Sequence, residues 1–373
     1  MKKILFLLLS VAVIFLNSCS DPAEVSPIES AQLEKKIGQM LLIGFRGLSV
    51  SDDSQISRDV MSGRIGGVVL YDRDVALGSD VRNIQSPEQV KTLIRKLQSY
   101  ADVKLFVAID QEGGKVNRLK QKFGFPATVS QEYLGTLDNP DSTNFYAYRT
   151  GHTLNSLGFN LNFAPVVDVN INPQSPAIGK IGRSFSADPS IVTKHAKLEI
   201  EALNAYNVLT TLKHFPGHGS AASDSHLGFT DVTSTWQEIE LTPYRNLVSG
   251  GYNDVIMTAH IFNGNLDADY PATLSKNIIT GILRNQVGFS GVIISDDMNM
   301  AAITDHFGLE QAIELAINAG IDILIFANNL TYNEQIAVEA VNIIKSLVAN
   351  GKISESRINE SYYRIMKLKT RLP

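Results

Sequence analysis

Short apolar runs rich in β-branched residues recur along the chain, at Met40–Phe45, Gly67–Tyr71, Leu105–Asp110, Leu161–Val169, Val208–His214, Val255–His260, Gly291–Asp296 and Ile321–Ala327. Between them lie longer amphipathic stretches with helical spacing, among them Pro87–Tyr100, Ser142–Leu157, Ser190–Tyr206, Leu309–Ala319 and Glu334–Ala349. Strands and helices that alternate in this way predict an α/β protein, a single-domain (β/α)8 barrel of the TIM type. An open, doubly wound sheet shares the alternation, because periodicity does not distinguish a closed sheet from an open one. No Gly-x-Gly-x-x-Gly loop follows the first strands, which weakens the dinucleotide-binding form of that alternative.

If the sheet closes, functional groups should collect at the carboxyl ends of the strands, where the active face of a barrel is built. The third run ends in Asp110-Gln111-Glu112-Gly113-Gly114, the fifth in Lys213-His214, the sixth in His260 and the seventh in Asp296-Asp297. The amino ends carry hardly any charge. This convergence argues for an active site without reference to any known protein.

The amino terminus carries an address. Met1-Lys2-Lys3 precedes the apolar run Ile4–Leu16, broken only by Ser10, which has the form of a secretory signal and is too short to span a bilayer comfortably. Leu16-Asn17-Ser18-Cys19 resembles a bacterial lipobox, which implies cleavage after Ser18 and lipidation of Cys19. Cys19 is the one cysteine of the chain, so a disulfide within it is excluded. Residues 1–18 are expected to be a lipoprotein signal, 19–30 a tether and 31–373 one catalytic domain. The mature protein is expected at the bacterial cell envelope, anchored to the membrane through lipid, periplasmic or on the cell surface. A net charge of −5 without basic runs makes nucleic acid a poor partner; a monomer is expected.

The densest chemistry lies in Lys213–His226, KHFPGHGSAASDSH, with a lysine, three histidines and an aspartate. Pro216, Gly217 and Gly219 break regular structure, so a strand here ends in a loop crowded with ionisable groups. The stretch resembles the signature of family 3 glycoside hydrolases in their single-domain β-N-acetylglucosaminidase branch: a strand ending in Lys-His, a Phe-Pro-Gly-His-Gly turn, then a loop with Asp-Ser-His. The resemblance extends from Ile37–Gly44 through Asn162–Asp168 and Pro271–Ser275 to Gly291–Met300. Two departures are Ser220-Ala221 after the turn, where the family commonly has aspartate and threonine, and Lys115, where arginine is more usual.

Cleavage of a glycosidic bond with retention needs a nucleophile below the sugar and an acid beside the leaving oxygen. Asp296 and Asp297 both suit the first role by position; the resemblance implies Asp296, leaving Asp297 as a cap for the next helix. It also implies that Asp224 and His226 form the acid/base pair. An unperturbed histidine titrates near pH ~6.5, and an aspartate two residues away can hold its ring and favour the protonated form. The resemblance further assigns sugar binding to Asp110, Arg118, Arg183, Lys213 and His214. Gly113-Gly114 permits close backbone approach, Glu112 is expected to support its loop, and His260 to line the pocket or to brace it.

These assignments imply a retaining exo-β-N-acetylglucosaminidase that releases terminal N-acetylglucosamine from peptidoglycan fragments or related glycans, with no metal or organic cofactor. Three rivals remain: a phosphorylase, in which a neutral imidazole spares phosphate from repulsion; a lipoprotein that binds glycans without cleaving them; and a metal-dependent hydrolase using His214, His218, His226 and Asp224. The last is disfavoured because Pro216 and Gly217 prevent the helix that would align such ligands.

Overall fold

The computed structural model describes residues 27–225 and 228–373, with side chains from residue 31 onward. The expected signal, Cys19 and His226 lie outside the described residues. Eight parallel strands close into a barrel: in chain order Leu41–Gly44, Gly67–Val69, Phe106–Ile109, Leu161–Asn162, Leu209–Phe215, Val255–Thr258, Val292–Asp297 and Ile323–Phe326, with the eighth pairing back onto the first. Ile43 stands opposite Val68 on one side and Phe326 on the other, which fixes the closure. Strands of this kind are buried on both faces, by barrel interior and by helices, so they read as continuous apolar runs. Val68, Val107, Leu212, Ile256, Ile293 and Leu324 are fully buried accordingly.

Six of the eight strands are shorter than the apolar runs that announce them, the fifth and seventh keeping their length one residue further on, and the fourth is the extreme case. Only Leu161–Asn162 is strand; the ladder fails at Pro165, which has no N–H to donate. One further bridge, Val166 to Lys213, carries the chain alongside the fifth strand as far as Asp168. Two helices of the outer ring begin slightly earlier than their apolar spacing suggests, while Ile336–Ala349 begins two residues later. Pro140–Leu157 starts at a proline whose preceding Asn139 accepts a hydrogen bond from Ser142 N–H, and Pro189–Asn204 repeats the device with Asp188 and Ser190. Proline at the first helical position costs nothing, because that N–H has no helical partner in any case. The first helix, Pro27–Gln39, begins inside the segment expected as tether. No helix among the described residues is long and apolar enough to cross a membrane.

The amino-terminal face of the barrel is closed by ionic ties. Asp322, fully buried, accepts hydrogen bonds from Arg284 (2.6 Å), Arg357 (3.2 Å), Arg364 (3.0 Å) and Ser361 (2.8 Å), joining the helix Asn277–Gln286 to the last helix, Glu355–Lys369. Lys369, also buried, donates to Gln39 Oε1 and to the Gly66 carbonyl, each at 2.7 Å.

Candidate active site

A cavity of about 410 Å³ opens at the carboxyl ends of the strands. Asp110, Arg118, Arg183, Lys213, His214, Asp224 and Asp296 all line it, so every expected catalytic or sugar-binding residue that is described meets at one place. They arrive from separate elements, which is what a barrel does with strand ends.

The third strand delivers Asp110, and a tight hairpin returns Arg118 to it. Gln111 folds that hairpin: its Oε1 accepts from the N–H groups of Arg118 (3.1 Å) and Leu119 (3.0 Å), and its Nε2 donates to Asn117 Oδ1 (2.8 Å). Gly113 is required at the bend, with φ of 97° and the carbonyl of Val129 only 2.3 Å from where a Cβ would sit. Arg118 then donates to Asp110 Oδ2 at 3.3 Å.

The fifth strand delivers Lys213, whose ammonium lies between Asp110 Oδ1 (2.8 Å) and Glu112 Oε1 (2.6 Å). Glu112 also takes both arms of Arg183, at 2.8 and 2.7 Å, in the fork geometry that suits a guanidinium and a carboxylate. Burial alone would raise the pKa values of Asp110 and Glu112. The charges of Lys213, Arg118 and Arg183 outweigh it, holding Asp110 well below the usual carboxylate range and Glu112 at about 2. Burial opposes charge on Arg183 as well, and Glu112 reverses the balance, so the guanidinium is held more firmly protonated than usual. The result is an array whose two carboxylates stay ionised at neutral pH, with donors and acceptors fixed in advance for a polyhydroxylated ligand.

His214 extends the array. The Lys213–His214 peptide is cis, and both side chains face the site. Arg183 Nη2 stands 3.1 Å from His214 Nε2, while Nδ1 stands 2.7 Å from Asp168 Oδ2. A guanidinium can only donate, so Nε2 accepts and the proton resides on Nδ1, given to Asp168. Both ring nitrogens are thereby engaged, which leaves no lone pair free for a metal.

Asp168 is the residue that sequence reasoning missed. It is fully buried; its Oδ1 accepts from the main-chain N–H groups of His214 (3.1 Å) and His218 (2.8 Å). Burial pushes its pKa up, but His214 and the hydrogen bonds prevail and lower it. Its position at the end of the fourth apolar run was a sufficient signal by the strand-end rule. Glu112 also proves more central than a loop support, since it joins two of the expected sugar-binding cations.

The two aspartates of the seventh strand differ. Asp296 is partly exposed in the cavity, its Oδ1 accepting from the Asp297 N–H at 2.7 Å. Asp297 Oδ1 accepts from the N–H groups of Asn299 (3.1 Å) and Ala327 (2.9 Å), tying the seventh strand end to the eighth. His260, 1% exposed, does not line the cavity; its Nε2 stands 3.0 Å from the Asp297 carbonyl and its Nδ1 2.9 Å from Thr273 Oγ1. It braces the end of the seventh strand from behind, the second of its two expected roles.

The model of the glycosyl hydrolase family 3 N-terminal domain matches residues 32–368. The chain belongs to glycoside hydrolase family 3. Family 3 relatives include "Beta-hexosaminidase A" of Pseudoalteromonas piscicida, 33% identical over 96% of this chain and 64% of that protein. "Beta-hexosaminidase LpqI" of Mycobacterium tuberculosis is 31% identical over 96% of this chain and 88% of its own length. Among solved structures, the family 3 β-N-acetylglucosaminidase of Paenibacillus sp. str. FPU-7 superposes with a TM-score of 0.82 at 32% identity, over 91% of this chain and 62% of that one. The chain thus spans somewhat less than two thirds of the length of two of these three.

Proposed function

We propose that this family 3 chain is a retaining exo-β-N-acetylglucosaminidase acting on terminal N-acetylglucosamine of peptidoglycan fragments or related glycans. The observation that carries the reading is the joint lining of one cavity by Asp110, Lys213, Arg183, Asp224 and Asp296, with Glu112 pairing Lys213 and Arg183 beneath it. The names of its relatives as β-hexosaminidases support the choice of sugar. Asp296 attacks the anomeric carbon as the bond to the glycosidic oxygen breaks, and His226 gives its proton to that oxygen. In the second half, His226 takes a proton from water, whose oxygen attacks the anomeric carbon and releases Asp296, with net retention. Asp224 holds the histidine ring. The array binds hydroxyl groups, and its fixed charges supply orientation without reorganisation during the reaction.

The first test is release of nitrophenol from the β-N-acetylglucosaminide and from the β-glucoside, with wild type, Asp296→Ala and His226→Ala. Turnover of the acetamido sugar alone is expected, abolished in Asp296→Ala. His226→Ala should keep more of the first step, because an activated leaving group needs little acid help. Appearance of the sugar phosphate in phosphate buffer, in place of free sugar, would identify a phosphorylase; no turnover by folded protein together with sugar binding would identify a glycan-binding lipoprotein. The envelope location rests on the lipobox-like sequence and is tested separately: Cys19→Ser should move the protein from the membrane fraction to the soluble one.

A further inference from the structure

Asp224, Ser225 and His226 are consecutive, so whatever fixes Ser225 fixes the peptide between the proposed acid/base partners. Ser225 is 2% exposed, whereas Asp224 beside it is partly exposed in the cavity. The Ser225 hydroxyl lies 3.1 Å from Nε2 of His218, a ring itself 3% exposed. Among the described residues this is the one side-chain hydrogen bond that His218 makes, and its other ring nitrogen, buried, has no partner. A histidine present only to fill the core would gain from satisfying both nitrogens or from being replaced by an apolar ring. Here the single bond made is the one that reaches the loop.

The seat of His218 is rigid. Its main-chain N–H donates to Asp168 Oδ1, the carboxylate that also orients His214. Gly219 N–H donates to Glu240 Oε2 at 3.0 Å, and Trp236 Nε1 donates to the Pro216 carbonyl at 3.2 Å. Neither flanking glycine can gain a side chain: a Cβ on Gly217 would stand 2.6 Å from Glu240 Cβ, and one on Gly219 1.7 Å from the Val169 carbonyl oxygen. Burial, with the His214 ring nearby, pushes the His218 pKa down to about 4, so the ring is neutral across the working range and holds Ser225 without adding charge beside the acid.

We infer that His218 is a positioning residue for the acid/base pair: through the Ser225 hydroxyl it holds the residue that lies between Asp224 and His226 in the chain, on a turn seated on the same Asp168 carboxylate that orients His214. The inference rests on the proposed roles of Asp224 and His226.

The test is a leaving-group series: aryl β-N-acetylglucosaminides from dinitrophenyl to phenyl, with N,N′-diacetylchitobiose at the poor end. The proteins are wild type, Ser225→Ala, His218→Phe and His218→Gln, the Ser225→Ala/His218→Phe pair, and Asp224→Asn and His226→Ala as references. A misplaced acid should cost most where the leaving group needs it. Ser225→Ala and His218→Phe are expected to lose about 10-fold in kcat/KM on chitobiose and less than about 3-fold on the dinitrophenyl glycoside. The double variant should be no worse than the worse single, the mark of one shared interaction, and His218→Gln should recover part of the loss. A loss equal for all leaving groups, or additive in the double variant, overturns the inference and leaves His218 a structural residue; Ser225→Ala decides this even if the His218 variants fold poorly. If Asp224→Asn and His226→Ala are themselves insensitive to the leaving group, the acid/base reading has failed and the inference falls with it. If they are sensitive and Ser225→Ala is not, the inference alone has failed.

Discussion

Single buried side chains in this barrel are held at two opposite limits of charge. Glu112 and Asp168 are buried and Asp110 is partly so, yet all three are matched by cations or donors and stay ionised well below neutrality. Glu199 and Glu240 are buried with no ion pair to a cation among the described residues; burial raises them to about 8 and about 7, and hydrogen bonds from Gln131 to the first and from Gly219 to the second do not restore the charge. Their effect on stability has a definite sign. A carboxyl whose pKa is higher in the folded than in the unfolded chain binds more protons when folded, so its contribution is complete below the unfolded value and lost as pH rises through the folded one. The melting temperature is therefore expected to decline between about pH 5 and pH 8. Glu199→Gln should flatten that decline, as thermal scans at several pH values would reveal; a slope equal to that of the wild type would mean that Glu199 is ionised in the fold. The depressed carboxylates act in the reverse direction, their contribution being lost only as pH falls toward about 2, so the two sets do not mask each other.

At the scale of elements, the turn from Pro216 to Ser220 decides the most. It is built on two carboxylates from different parts of the chain, Asp168 at the end of the fourth strand run and Glu240 ahead of the helix Thr242–Ser249. It also lies against the fourth-strand segment with no room for a Cβ at Gly219. Gly219→Ala is expected to displace the turn and with it His218, lowering kcat/KM at least about 100-fold and also lowering the melting temperature, since a backbone clash of this kind must be relieved by moving main chain. Gly308 serves as control: nothing lies within 4 Å of its Cβ position and its φ is −66°, so Gly308→Ala should change activity and stability little. Equal tolerance at the two positions, by activity assay and thermal scan, would contradict the close packing of the turn. Neither carboxylate is near the turn in sequence, which is why the motif could be located in the chain but its support could not.

For the whole molecule, the two ends of the barrel divide the work. The carboxyl-terminal face gathers charge around an open cavity; the amino-terminal face gathers it around buried ties that only close the structure, as Asp322 does with Arg284, Arg357 and Arg364. Removing one partner from a buried ionic cluster leaves the others uncompensated, at a cost of roughly 3–5 kcal/mol. Asp322→Ala should therefore lose stability of about that size in chemical denaturation, while the folded fraction keeps wild-type kcat and KM. A change in KM at full folding would mean that the closure of the bottom face is transmitted to the cavity.

The sequence by itself determined the alternation of strands and helices and the order in which chemistry appears at strand ends. It could do so because burial on both faces of a parallel strand writes an unmistakable apolar run, and because the next residue is the first one free to be polar. Asp110, Lys213-His214 and Asp296 were legible for that reason. The tertiary structure decided that the sheet closes, by pairing the eighth strand with the first, and it alone decided which groups touch. Glu112 bridges Arg183 and Lys213, Asp168 underlies both His214 and His218, and His260 stands behind Asp297 outside the cavity. Such contacts join residues far apart in the chain through a closure that no local periodicity encodes, and their energies depend on burial, which only the assembled barrel creates.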